Sequence, residues 1–315
     1  MAATGTAANR LEYERRINRV VDHISQNLPE PLSLESLAGI AAFSPFHFHR
    51  VFKTFTGENL SSFIQRIRLE SAARSLQHNP RREITQIALD CGFGSSAAFA
   101  HAFKNHFGMN ATQFRNDGGS KLRAARRQEY SNLHQTHRKM EQARNGAVEQ
   151  NCSQEKRMNV VVTSLPDFHV AYMRNIGPYG ATQIPPLWNK LMTWAKARDL
   201  VTPETLTLGI SYDDPEVTPP EKCRYDACIV VPSEFMPEPD VNVKDIPGGK
   251  YAVYKYTGTS AQIMEPWSRM FSEWLPSSGY QPDDRPCFEL YRADCYLDQA
   301  KGVFQCDICV PVKPL

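Results

Sequence analysis

Residues 44–57 read SPFHFHRVFKTFTG, and the spacing within them decides the fold of the N-terminal half. Ser44-Pro45 supplies an N-cap and a proline at the first helical position. Phe48, Val51, Phe52 and Phe55 then form one apolar stripe at helical spacing. Phe46, His49, Arg50 and Lys53 form a second stripe, rotated well away from the first. One face is suited to burial and the other carries donors and an aromatic, as a helix laid in a major groove requires. Upstream, Ile17, Val20, Val21, Ile24 and Leu28 follow an amphipathic helical pattern that Pro29 and Pro31 stop. Ser33 then caps a short helix through Leu34, Leu37 and Ala38, a few residues before Ser44. That is helix-turn-helix spacing. Taken alone, the Ser44 helix reads equally well as a solvated basic face on an ordinary bundle.

The pattern returns 51 residues later, where Phe99, Phe103, Lys104 and Gly108 replay Phe48, Phe52, Lys53 and Gly57. Ile84, Ile87, Ala88 and Gly92-Phe93 repeat the short helix and turn before it. A long helix from about Ser61 to Leu76 joins the copies. Two units on one rigid connector are expected to place two helices in successive major grooves, roughly 34 Å apart. SPFHFHRVFKTFTG, the connector IQRIRLESAARSL, and ITQIALDCGFGSSAAFAHAFKNHFGMNATQFR together resemble the AraC/XylS family of bacterial transcription regulators, over about Ile17 to Arg115. The resemblance implies that Phe46, His49 and Arg50 reach base edges from the first helix, with Lys53 on the same stripe. It implies the same of Ser96, Ala97, Ala100 and His101 on the second. Ala97 and Ala100 offer only apolar contact, so asymmetric reading is expected, with Lys104 and His101 mainly positioning the duplex.

Charge divides the chain in the same place. Residues 1–145 hold 20 Lys and Arg against 12 Asp and Glu, a net +8; residues 146–315 hold 16 against 22, a net −6. Eight of the nine histidines lie in the first part, and all four tryptophans and ten of the twelve tyrosines in the second, so the parts are expected to meet different partners. The polar stretch between them, with Gly118-Gly119 and Arg126-Arg127, reads as a linker, partly helical around Leu122–Met140. The expected division is a DNA-binding domain at 10–116, a linker at 117–156 and a second domain at 157–315.

Residues 158–315 are a second duplication. Asn159–Ser164, Val170–Arg174, Cys228–Val231, Tyr251–Tyr256, Phe288–Tyr291 and Phe304–Val310 read as strands, and Leu187–Ala197 and Glu265–Leu275 as helices. LPDFHVAYMRNIGPYG is echoed by IPGGKYAVYKYTGTSA, and ACIVVP by CDICVP, at an offset of 79–81 residues. Trp188 matches Trp267, Tyr212 matches Tyr291, and Ile210 stands where the second repeat has Glu289. Strand–helix–strand–strand thus occurs twice, which predicts an α+β domain with a pseudo-twofold groove. GPYG, FELYRAD and CDICVPV resemble the GyrI-like effector-binding domain, a module of multidrug-responsive regulators. The resemblance implies a lipophilic, often cationic or aromatic, small molecule in the groove, with Glu289 inside it.

Read from the residues, period 2 places Glu289 and Tyr291 on one face of their strand. An inward face makes the carboxylate a cation receptor beside aromatics, and an outward face makes it an ordinary surface glutamate. Trp188, Tyr172, Tyr212, Tyr254 and Tyr291 are pocket candidates that core filling would explain as well. Trp267, Met270, Phe271, Trp274 and Leu275 follow the spacing of a helix core face.

No apolar stretch approaches the roughly 20 residues of a membrane helix. The first nine residues lack the features of a secretory signal, and eight cysteines form no dense disulfide framework. Cys306 and Cys309 point to opposite faces of a strand, so no metal and no cofactor are expected. Neither a phosphate loop nor a nucleophile–base pair is evident, and Glu289 with Tyr291 would serve at most as a general base, so no enzymatic activity is expected. The sequence therefore predicts a cytoplasmic, nucleoid-associated regulator. Its expected partners are double-stranded DNA, RNA polymerase and a small lipophilic or cationic ligand, with no membrane. The alternatives are a small-molecule sequestering protein and a hydrolase of reactive lipophilic compounds.

Overall fold

The computed structural model describes residues 2–129 and 158–314, apart from 80, 118–119, 121, 127, 181, 216, 239, 261, 284, 294 and 299–301. The expected linker helix therefore lies largely outside the described residues. Two compact units are present. One comprises Met1–Ala124 with Asp213–Lys222 and Met236–Asn242; the other comprises Ala125–Tyr212, Cys223–Phe235 and Val243–Leu315.

The first unit is helical: α1 (Ala2–Gln26), α2 (Leu34–Ile40), α3 (Pro45–Thr56), α4 (Leu60–His78), α5 (Ile84–Asp90), α6 (Ser96–Phe107) and α7 (Ala111–Asp117). Helices α3 and α6 are built alike. Ser44 Oγ accepts the His47 N–H and Ser95 Oγ the Ala98 N–H, closing each N-terminus. Gly57 and Gly108, both at φ +72°, close each C-terminus in the left-handed conformation that glycine adopts without a Cβ clash. Each repeat has its own core. Ile17, Val21, Ile24, Leu37, Phe48 and Phe52 meet Phe63 and Ile67 of α4 in one. Ile87, Phe99, Phe103 and Phe114 meet Leu69, Ala73 and Leu76 of α4 in the other. The connector therefore belongs to both repeats, one half to each.

The second unit is one large sheet with helices. Its strands are β1 (Val160–Leu165), β2 (Phe168–Ile176), β3 (Leu206–Ser211), β4 (Arg224–Val230), β5 (Asn242–Ile246), β6 (Gly249–Gly258), β7 (Tyr280–Pro282), β8 (Phe288–Arg292), β9 (Tyr296–Asp298) and β10 (Val303–Pro314). The order is β1-β6-β10-β8-β3-β4-β2-β5, with β7 and β9 also pairing β10. Helix α8 (Ile184–Lys196) packs on β2 and β4. Helix α9 (Met264–Arg269) runs through a π-helical turn at Met270–Trp274 into α10 (Leu275–Ser277). The order β2-α8-β3-β4 and then β6-α9-β8-β10 is the expected duplication. The repeats join where β3 pairs with β8.

Alternation sorts residues to two faces of the sheet. Tyr172, Leu208, Ile210, Phe288 and Leu290 share one core. Tyr254, Trp267, Tyr291, Phe304 and Cys306 share the other, with the helix α9 side chains. This overturns the matching of Glu289 with Ile210: Ile210 and Tyr212 go to the opposite face, and the residue directly across from Glu289 is Gly209. A constant sequence offset drifts by one residue here, and one residue inverts the face of a strand.

The helix-turn-helix turns use different residues at their left-handed position. Gly92 (φ +83°) makes the turn after α5, whereas Ala42 (φ +52°) makes the one after α2. A Cβ on Gly92 would stand 2.0 Å from the Leu28 carbonyl oxygen. Gly92→Ala is therefore expected to destabilise the helical unit by about 2 kcal/mol or more, and Ala42→Gly to stabilise it by roughly 0.5–1 kcal/mol. Urea denaturation followed by circular dichroism at 222 nm measures both.

Candidate functional site

On α3, His49, Arg50 and Lys53 are exposed; on α6, Ser96, Ala97, Ala100, His101 and Lys104 are exposed. The side chain of Phe46 lies outside the described residues. The helix faces that carry these residues are opposite to Phe48 and Phe52, and to Phe99 and Phe103, all buried. Asn105 is a further candidate: exposed, with its amide nitrogen 3.3 Å from His101 Nδ1. Its position four residues after His101 was the available sequence signal, and an amide is the group that reads adenine in the major groove. Asn105 thus adds a polar group to the exposed face of α6.

Arg68 of α4 ties the repeats together. Its Nε donates to the Leu28 carbonyl at 3.0 Å and its Nη2 to the Glu30 carbonyl at 3.1 Å, both in the loop after α1. The same guanidinium lies against Gly92, so the first repeat, the connector and the turn of the second meet at one place. A helix alone leaves its two ends free to bend. A second contact braces the first repeat against the connector and the turn of the second.

In the second unit the site forms around Glu289, which is 8% exposed. Trp267 Nε1 donates to Glu289 Oε1 at 2.9 Å and Tyr291 Oη to Oε2 at 2.6 Å. Trp188 meets the Tyr291 ring edge-on at 5.7 Å, and Phe304 follows on the other side at 5.8 Å. Trp188 Nε1 donates to the hydroxyl of Tyr225 at 3.0 Å. The Gly209 position admits all this: a Cβ there would stand 2.2 Å from Tyr225 Oη and 3.1 Å from Glu289 Oε2. Burial raises the Glu289 carboxyl above its ordinary value, against the opposing pull of the Tyr291 and Trp267 hydrogen bonds.

Of the six residues expected here, the structure brings Glu289, Tyr291 and Trp188 together. Tyr254 lies on the same face two strands away, across Ile308 from Glu289. Tyr172 and Tyr212 do not join them. They stand on the other face around Lys244 and Arg174, whose charges lie over both rings at 3.8–5.3 Å. These cations hold the buried Asp226: Arg174 grips it with two bonds of 2.7 Å, and Lys244 donates to it as well. Burial pushes the Asp226 carboxyl up, but attraction to Arg174 and Lys244 outweighs it and holds the pKa at about 2. Trp267 and Tyr225 were missed. The helical stripe accounted for Trp267 as core, and no pattern in the sequence marks Tyr225.

Residues 158–313 match the model of the GyrI-like small molecule binding domain, and residues 37–117 match a helix-turn-helix domain of AraC type. The "SPbeta prophage-derived putative transcriptional regulator YosT" of Bacillus subtilis is 32% identical over 156 residues, half of this chain and all of that protein. The chain belongs to the GyrI-like family. A DNA gyrase inhibitor of Escherichia coli is 32% identical over 148 residues, 46% of this chain and 90% of that protein. A solved AraC-type transcriptional regulator from Chromobacterium violaceum is 30% identical, covering 32% of this chain and 90% of that one, with a TM-score of 0.31. This GyrI-like protein is therefore a transcriptional-regulator homologue, joining an AraC-type DNA-binding domain to a small-molecule-binding domain. No described helix is long and apolar enough to cross a membrane.

The raised Glu289 pKa fixes a sign. The folded state holds this proton to higher pH than the unfolded chain does, so stability falls as pH rises from the ordinary carboxylate range through the raised value, and then levels. Glu289→Gln removes that slope. Melting curves from pH 4 to 8 are expected to show the variant gaining on the wild type with rising pH.

Proposed function

We propose that this protein is a ligand-responsive transcription regulator whose C-terminal domain takes a lipophilic cation at Glu289. The carrying observation is the contrast between two buried carboxylates in one domain. Asp226 is fully buried and bracketed by Arg174 and Lys244. Glu289 is also buried, among aromatics, yet its hydrogen bonds come from the neutral groups of Trp267 and Tyr291, with no ion pair among the described residues. A buried carboxylate of this kind is a receptor for a charge brought from outside, and the flanking rings add cation–π attraction. Glu289 faces Gly209, so one charged site and one ligand per domain follow.

In this reading the DNA-binding domain spans 10–116, the linker 117–156 and the ligand domain 157–315. Ligand occupancy changes either the orientation of the domains through the linker or a contact with RNA polymerase, in the cytoplasm at the nucleoid. Phe46, His49 and Arg50 read bases from the first helix. Lys53, Lys104 and His101 engage phosphates.

Binding of tetraphenylphosphonium, followed by tryptophan fluorescence, is expected to weaken about 30-fold in Glu289→Gln. In the wild type it should weaken as pH falls through the raised carboxyl pKa, since protonation removes the charge. Equal binding by both proteins would overturn the Glu289 reading, and turnover of a ligand lost in the variant would favour the hydrolase.

On DNA, Arg50→Ala is expected to cost about 1–3 kcal/mol on duplexes that the wild type selects from a randomised pool, with relaxed specificity. Equal loss on random duplex would make Arg50 a phosphate contact. A flat salt dependence in the wild type would favour a sequestering protein over a regulator.

A further inference from the structure

Tyr225 leaves one polar hydrogen of the Glu289 site unspent. Its side chain is buried, at 5% exposure, and its oxygen accepts the indole N–H of Trp188. A phenol whose oxygen takes a donor still has its own O–H to give. Among the described residues no acceptor takes it. Burial and the nearby charge of Glu289 raise the Tyr225 hydroxyl well above the ordinary phenol value, so it remains a donor. Trp267 and Tyr291 are already committed to the two oxygens of Glu289.

Location sets this donor beside the carboxylate. Tyr225 Oη and Glu289 Oε2 pack over the same glycine, where a Cβ on Gly209 would stand 2.2 Å from the first and 3.1 Å from the second. Trp188, in the same repeat as Tyr225, holds the Tyr225 oxygen by its indole N–H while its ring meets Tyr291 of the other repeat. A buried donor without an acceptor is costly, and here it stands beside a carboxylate that lacks an ion-pair partner. A molecule carrying a positive centre and, a few bonds away, an oxygen lone pair satisfies both groups at once.

We infer that Tyr225 reads a hydrogen-bond acceptor on the ligand, so that the site prefers cations bearing a carbonyl or ether oxygen close to the charge over purely hydrocarbon cations. This rests on Glu289 being the cation subsite.

The test uses the full chain and a matched pair of probes, phenacyltrimethylammonium and (2-phenylethyl)trimethylammonium. They share charge and ring and differ by one carbonyl oxygen. Calorimetric titration of the wild type is expected to show the keto cation binding about five- to tenfold more tightly. Tyr225→Phe is expected to bring the ratio to about one by weakening the keto cation alone, whereas Glu289→Gln weakens both cations and keeps the ratio. Equal affinities in the wild type would overturn the role of Tyr225 while leaving that of Glu289 intact, as would a Tyr225→Phe variant that weakens both probes alike. The wild-type ratio requires no variant to fold. Failure of the wild type to bind either probe would overturn the Glu289 reading, and the Tyr225 inference with it.

Discussion

The pairing of β8 with β3 is the constraint on which the ligand-binding half depends. Glu289 lies directly across from Gly209, at the seam where the two repeats meet. With any larger residue at 209, Tyr225 Oη and the carboxylate would lose the space they share. Seam, glycine and carboxylate form one unit. The duplication brings Trp188 from one helix and Trp267 from the other to this point. Their use is unequal: one indole holds the carboxylate and the other holds a tyrosine.

The two faces of this sheet solve the same electrostatic problem differently. Asp226, Arg174 and Lys244 compensate one another within the protein, and Tyr172 and Tyr212 supply the rings that solvate the cations. Around Glu289 only neutral donors and rings are provided. Two neutral hydrogen bonds lower the carboxyl pKa but do not overcome burial. The difference gives the domain a self-contained structural ion pair on one face and a carboxylate held by neutral groups on the other.

In the helical half the corresponding constraint is α4. Its first half completes one core with Phe63 and Ile67, its second half the other with Leu69 and Leu76. Between them Arg66 binds Glu58 and Glu70 on one side, while Arg68 binds the loop after α1 on another. Such anchoring suits a connector whose task is to hold two reading helices at a set distance.

Much of this was legible in the residues. Serine and glycine caps, phenylalanine stripes and a 51-residue period specified two helix-turn-helix units, because capping and helical periodicity are local. The second duplication and the shared face of Glu289 and Tyr291 were legible for the same reason. Register across strands was not, since a shift of one residue changes no local pattern and yet inverts a face; hence Ile210 gave way to Gly209, and Tyr172 and Tyr212 went to the Asp226 cluster. Trp267 looked like core because a helical stripe does not say what lies beneath it. Charge and periodicity along the chain by themselves determined two helix-turn-helix units and a duplicated α+β domain, while the inward placement of Glu289 was implied by the family resemblance and not by the strand pattern. Only the tertiary structure decided which cations compensate which acid, because that depends on distances between segments far apart in sequence.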